Sequence, residues 1–116
     1  MSTASTWENG VREARAAIER PVGSPAPTAG AVVCAELGRR LERAHETAVS
    51  EAEQLAEEAT RLARRLAEEG MGATFGGNNF LAQAQNLRDA LVRFEDARAA
   101  FAMVRGIQER DGGNRS

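Results

Sequence analysis

The sequence predicts an all-α protein, an antiparallel helical hairpin of two long helices with a short N-terminal helix packed on it. Two long alanine-rich stretches carry apolar residues at helical spacing. The segment between them, Gly70–Gly77, contains four glycines. Because glycine ends helices and favours turns, the two stretches are expected to fold back on one another.

Composition limits the classes of function. At 116 residues we expect one domain, residues 1–116. Only 4% of residues are aromatic and alanine supplies much of the 42% that is apolar, so the core is thin and association is a natural way to bury more surface. A net charge of −2 argues against a nucleic-acid binder. No stretch approaches the roughly 20 apolar residues of a membrane span, so no membrane insertion is expected.

The first helix is predicted over residues 5–20. Ser5 and Glu8 have the spacing of a capping box. One apolar stripe follows at helical spacing: Trp7, Val11, Ala14 and Ile18. Pro21 ends the helix because the residue before proline avoids helical geometry. Residues 21–28 then form a stiff, proline-containing connector. The N-terminus has no signal-peptide pattern, which predicts a cytoplasmic protein, with export by a signal-peptide-independent route as the alternative.

The second helix is predicted over residues 29–69, with Thr28 as its N-cap and the glycine-rich turn 70–79 after it. Its apolar positions form a heptad-like seam with one stutter around Ala48–Ala52. The seam consists of Cys34, Leu37, Leu41, Ala44, Ala48, Ala52, Leu55, Ala59, Leu62 and Leu66.

The third helix is predicted over residues 80–110, capped by Asn78 or Asn79, with a disordered tail at 111–116. Folding it back about the turn places Leu62 beside Leu87, Leu55 beside Phe94 and Ala48 beside Phe101. The expected hairpin core is Leu55, Leu62, Leu87, Leu91, Phe94 and Phe101. The charge pattern favours the same register, because the acidic band Glu46–Glu58 then faces Arg93, Arg98 and Arg105.

A second stripe indicates an interaction function. Leu81, Val92 and Met103 are eleven residues apart, so they share a helical face away from the phenylalanines. Val49 adds apolar surface to the second helix. These four residues are the candidate partner-facing positions. They predict a protein partner, as a homodimer or as a heterodimer with another helical hairpin, that completes a four-helix bundle. The other interpretation is that the first helix and the connector cover them.

Candidate chemistry is sparse, and we expect no catalytic residue, cofactor or metal site. Cys34 is the only cysteine and lies on the apolar seam, where it packs as a small hydrophobe. Arg40 and His45 have the Arg-x4-His spacing of HEPN ribonucleases, in which histidine acts as acid or base and arginine binds phosphate. A helical ribonuclease is therefore the enzymatic alternative to an interaction protein.

The stretch Ala26-Pro-Thr-Ala-Gly-Ala-Val-Val33, followed by a long alanine-rich helix and then Gly70–Asn79, resembles the PE-family domain of type VII secretion in high-GC Gram-positive, actinobacterial species. In that family and the related WXG family, hairpins pair with a helical partner for export. The turn here carries Phe75-Gly76-Gly77 instead of Trp-x-Gly, and the chain contains no tyrosine for a Tyr-x-x-x-Asp/Glu signal. The resemblance implies a secretion-associated partner or adaptor. The alternative is a self-assembling scaffold protein of a phage or cell envelope.

Overall fold

The computed structural model describes residues 6–19, 23, 25–69 and 77–113, and its described residues form three helices and no strand. Helix α1 spans Thr6–Ile18, α2 spans Ala29–Glu69 and α3 spans Gly77–Gly113. The fold class is therefore all-α. None of the described helical stretches combines the length and hydrophobicity that a bilayer crossing requires.

The start of α2 agrees with the sequence and the start of α3 does not. The Thr28 hydroxyl oxygen accepts a hydrogen bond of 3.1 Å from the Ala31 amide, which confirms Thr28 as N-cap. Helix α3 begins at Gly77, so Asn78 and Asn79 lie in its first turn, and it continues to Gly113. Several predicted features lie outside the described residues, namely the Ser5 cap, Pro21, Gly70 to Gly76 and residues 114–116.

The chain divides into two compact units, and both long helices contribute to each. Unit 1 comprises Met1–Arg43 and Glu95–Ser116, so it contains α1, the first part of α2 and the last part of α3. Unit 2 comprises Ala44–Phe94, the remainder of α2 and α3. The expectation of one domain over the whole chain stays a prediction.

Unit 1 has a closed core in which three helices surround one ring. Phe101 is only 2% exposed. A methyl group placed on Gly10 of α1 would lie 3.2 Å from the Phe101 ring, and one placed on Gly38 of α2 would also lie 3.2 Å from it. The two glycines thus allow both helices to approach the ring closely. The other buried apolar side chains among the described residues of this unit are Val11, Ala14, Cys34, Ala35 and Leu41.

Polar contacts hold α1 against both long helices in unit 1. The Arg105 guanidinium donates a hydrogen bond of 3.0 Å to the Gly10 carbonyl oxygen and forms an ion pair with Glu13. Arg15 of α1 forms an ion pair with Glu42 of α2. Because these groups are partly exposed, each pair contributes little to the free energy of unfolding and mainly orients α1.

The predicted register between α2 and α3 is wrong by about ten residues. The Phe94 ring lies 5.5 Å from the His45 ring, whereas Leu55 is about 15 Å further along α2 at 1.5 Å per residue. In unit 1, Phe101 contacts Gly38 instead of Ala48. Heptad seams repeat, so several registers bury similar stripes. The observed register gives Phe101 the glycine at position 38 as its neighbour.

The charges do not pair as the predicted register required. Arg98 donates to Glu95 of its own helix, at 2.6 Å, and Arg105 pairs with Glu13 and Glu109. On α2, Arg61 pairs with Glu57 and Glu58, one turn away. Among the described residues, the ion pairs that join different helices both involve α1. The charge pattern therefore did not identify the register of the long helices.

Candidate functional site

The α2–α3 seam of unit 2 is only partly closed. Phe94 and the leucines Leu55, Leu62 and Leu87 are all half-buried, and the buried side chains among the described residues of this unit are the small residues Ala48 and Ala90. Two helices can cover only one side of each other, so a seam of this kind keeps much of its apolar surface in contact with water.

One polar pair lies within this seam. The Gln83 side-chain amide of α3 donates to the Glu51 carboxylate at 2.6 Å and to the Glu51 carbonyl oxygen at 3.1 Å. Compared with the His45–Phe94 contact, this pair joins a residue further along α2 to a residue nearer the start of α3. The two segments of unit 2 therefore run antiparallel. A polar contact on an otherwise apolar seam favours one register over its neighbours.

Glu51 and Glu58 occupy the seam positions predicted for Ala52 and Ala59. Both glutamates are half-buried, whereas both alanines are exposed. Leu66, also assigned to the seam, is exposed as well. The correction has a physical cause: alanine loses little free energy when exposed, while a glutamate can bury its methylene groups and keep its carboxylate paired.

The exposed residues form a second apolar stripe along α2. Each stripe residue from 49 to 63 follows a seam residue by one position, and the spacing alternates between three and four. The members are Val49, Ala52, Ala56, Ala59, Ala63 and Leu66. The sequence carries this stripe as a second heptad, whose members Ala52 and Ala59 also fit the spacing of the first seam. A shallow depression lined by Ala56, Thr60 and Arg64 lies beside the middle of the stripe.

Leu91 of α3 borders the same side of unit 2, because it follows the seam residue Ala90 by one position. One position advances about 100° around a helix. Because the segments are antiparallel, the same step on each helix turns the side chains towards the same side of the pair. We call this surface, between the α2 stripe and Leu91 of α3, the unit 2 groove.

The residues of the predicted hairpin core differ in burial. Phe101 is buried in unit 1, and Leu55, Leu62, Leu87 and Phe94 are half-buried in unit 2. Leu91 is 47% exposed, so it does not belong to a closed core. Its neighbour Ala90 takes the seam position, which turns Leu91 towards the groove.

All four candidate partner-facing residues are exposed. Val49 lies on the border of the groove, whereas Leu81, which is 65% exposed, shares the helical face of Val92. Val92 is 54% exposed but follows the seam residue Ala90 by two positions, so it lies on the side of α3 away from α2. Met103 belongs to unit 1 and is exposed there, as are Val32, Val33 and Ile107.

The residues considered for chemistry lie in different surroundings. Arg40 is exposed, and the His45 ring lies against Phe94 at an interplanar angle of 51°. Within the described part of the chain, no three histidine, cysteine or acidic side chains come together as a metal site would require. Cys34 is buried, and that burial raises the pKa of its thiol, while the charge of Arg105 lowers it to a smaller extent.

No family model, no curated protein and no solved structure matches the chain.

Proposed function

We propose that this protein is a non-enzymatic interaction module: a helical hairpin, with α1 packed on it, that receives a partner helix in the unit 2 groove and so completes a helical bundle. The observation that carries the proposal is the difference between the two units. In unit 1, α1 covers α2 and α3 and the core is closed. In unit 2, no third helix of the described residues covers the α2 stripe or Leu91.

The groove has the chemistry that a helix requires from its partner. A partner helix packs through positions repeated every three and four residues, and the α2 stripe repeats at that spacing over about 26 Å. Four of its six members are alanines, which allow close approach of backbones. Larger side chains at both ends and on α3, including Leu66 and Leu91, supply apolar contact area.

A matched pair of variants tests the proposal. The chain is co-expressed with helical proteins encoded by neighbouring genes, and the mass of each purified complex is measured by light scattering after size-exclusion chromatography. Leu91→Arg should abolish the complex because it places a charge in the groove. Val92→Arg, one position further along and similarly exposed, should leave it intact.

The reverse result would contradict the proposal that the partner binds in the unit 2 groove. If Val92→Arg abolishes association and Leu91→Arg does not, the partner binds the outer face of α3 that carries Leu81 and Val92. Circular dichroism of both variants separates loss of binding from loss of folding.

A narrower form of the proposal is a type VII secretion-associated adaptor, which the layout of the connector and the two long helices supports. A complex with a second hairpin protein from a secretion gene cluster would support it, and a partner from a phage or cell-envelope cluster would support the scaffold role instead.

A further inference from the structure

The α2 stripe is symmetric about its own centre. The six stripe positions are placed symmetrically about a point between Glu57 and Glu58. Val49 exchanges with Leu66, Ala52 with Ala63, and Ala56 with Ala59. The larger residues thus stand at both ends and the alanines between them. Such a surface is complementary to an antiparallel copy of itself, as a two-fold interface requires.

The charges beside the stripe favour the same orientation. Within the length of the stripe, one flank of α2 carries the exposed acids Glu53 and Glu57 in the N-terminal half and Arg64 in the C-terminal half. In an antiparallel pair the flanks of the two copies lie on the same side of the interface, so Arg64 of each copy lies near Glu53 of the other. In a parallel pair the flanks would lie on opposite sides of the interface, so Glu53 and Arg64 of different copies would not meet.

From these two observations we infer that the occupant of the unit 2 groove is a second copy of this chain, with the α2 stripes of the two copies packed antiparallel. The inference rests on the proposed function and specifies the partner. The expected contacts pair Ala52 with Ala63 and Ala56 with Ala59 across a two-fold axis, and Val49 with Leu66 at each end.

Disulfide trapping tests the orientation and the register together. In a Cys34→Ala background, Ala52→Cys and Ala63→Cys are purified separately, mixed in equal amounts and oxidised. Paired residues of closely packed helices meet the distance limits of a disulfide. The mixture should form a cross-linked dimer containing one chain of each variant. Ala52→Cys alone should not, because its two copies would lie about 16 Å apart along the helix axes.

A control pair of cysteine positions has the same symmetry as Ala52 and Ala63 but lies on the opposite side of α2. Gln54 and Arg61 exchange under the same symmetry and are exposed, but they lie outside the stripe. A mixture of Gln54→Cys and Arg61→Cys should therefore remain uncross-linked. Cross-linking of this control would show random collision and would remove the support from the stripe result.

Three outcomes overturn the inference and differ from failure of the proposed function. Cross-linking of Ala52→Cys alone, and of Ala63→Cys alone, would indicate a parallel pair. A chain that sediments as a monomer at about 100 micromolar would exclude a second copy as the occupant, because a specific pair should have a dissociation constant below about that concentration. A dimer that Val92→Arg disrupts and Leu91→Arg does not would place the interface elsewhere. In the monomer case, the co-expression test with Leu91→Arg still decides whether the groove binds a different helical protein.

Discussion

Phe101 and Phe94 occupy equivalent heptad positions on α3 but lie in different environments. Phe101 belongs to unit 1, where Gly10 of α1 and Gly38 of α2 adjoin its ring and leave it 2% exposed. Phe94 belongs to unit 2, lies beside His45 and is half-buried. The difference shows that two helices with the same repeat do not close a core by themselves. A third helix determines how much of the aromatic side chain is buried.

Replacing the two rings should have unequal effects. We expect Phe101→Ala to lower the free energy of unfolding by about 3–5 kcal/mol, because it removes a fully buried ring and leaves a cavity. Phe94→Ala should cost about 1–2 kcal/mol, since less apolar area is buried there. Urea denaturation of the two variants at equal protein concentration measures the difference. Equal costs would mean that the ring of unit 2 is as well enclosed as that of unit 1.

The next largest effect on stability is expected at Gly38, where α2 approaches α1 and α3 closely in unit 1. A methyl group on Gly38 would lie 3.2 Å from both Phe101 and Val11, which are buried and belong to different helices. Gly38→Val should therefore destabilise the fold by about 1–3 kcal/mol through overpacking.

Gly106→Ala is the matched control for Gly38→Val, because nothing lies within 4 Å of a methyl group added there. It should stabilise the chain by about 0.5–1 kcal/mol through helix propensity. Thermal unfolding that moves both variants in the same direction would contradict the close approach at Gly38.

A smaller effect is expected from the polar pair on the seam of unit 2. Gln83→Ala removes the hydrogen bonds of 2.6 and 3.1 Å to Glu51. Because Glu51 remains accessible to water, the cost should be about 0.5–1.5 kcal/mol. A double-mutant cycle with Glu51→Ala isolates the coupling between the two side chains. Additive costs would show that the pair does not contribute to the register.

The helices could be predicted from sequence, but the contacts between them could not. The Thr28 cap and the apolar repeat define α2 because they act within one helix. The predicted register is wrong because both long helices repeat with the same period. Displacing one helix by about ten residues keeps most apolar positions on the seam. The position that distinguishes the registers, Gly38 beside Phe101, gives no local signal, since glycine within a helix is otherwise only unfavourable.

The candidate site could be predicted in part for a similar reason. Val49 is predicted to face a partner and is exposed beside the groove, whereas Leu81 is exposed on the face of α3 that carries Val92. Ala52 and Ala59 were missed because alanine fits an exposed and a buried position almost equally well. The preference for Glu51 over Ala52 depends on the amide of Gln83, which is 32 positions away. Such a choice requires knowledge of the neighbouring helix.

The last prediction compares the two units without changing their stability much. Burial raises the pKa of the Cys34 thiol in unit 1 above its ordinary value of 9.0, and burial also restricts access. Only the thiolate reacts with a disulfide reagent. At pH 8, Cys34 should therefore be labelled far more slowly than a cysteine introduced at the exposed Ala52 position of unit 2 in a Cys34→Ala background.

The pH dependence of labelling gives the sign of the Cys34 shift. Because its pKa is raised in the folded state, the thiol remains protonated at a pH where the unfolded thiol ionises. Its contribution to stability is therefore complete below about pH 9 and is lost as the pH rises through the folded-state pKa. Labelling followed with a chromogenic disulfide from pH 7 to 9.5 should show Cys34 lagging behind the Ala52→Cys thiol throughout. Equal rates at pH 8 would mean that unit 1 opens as readily as unit 2 and that α1 does not close the core.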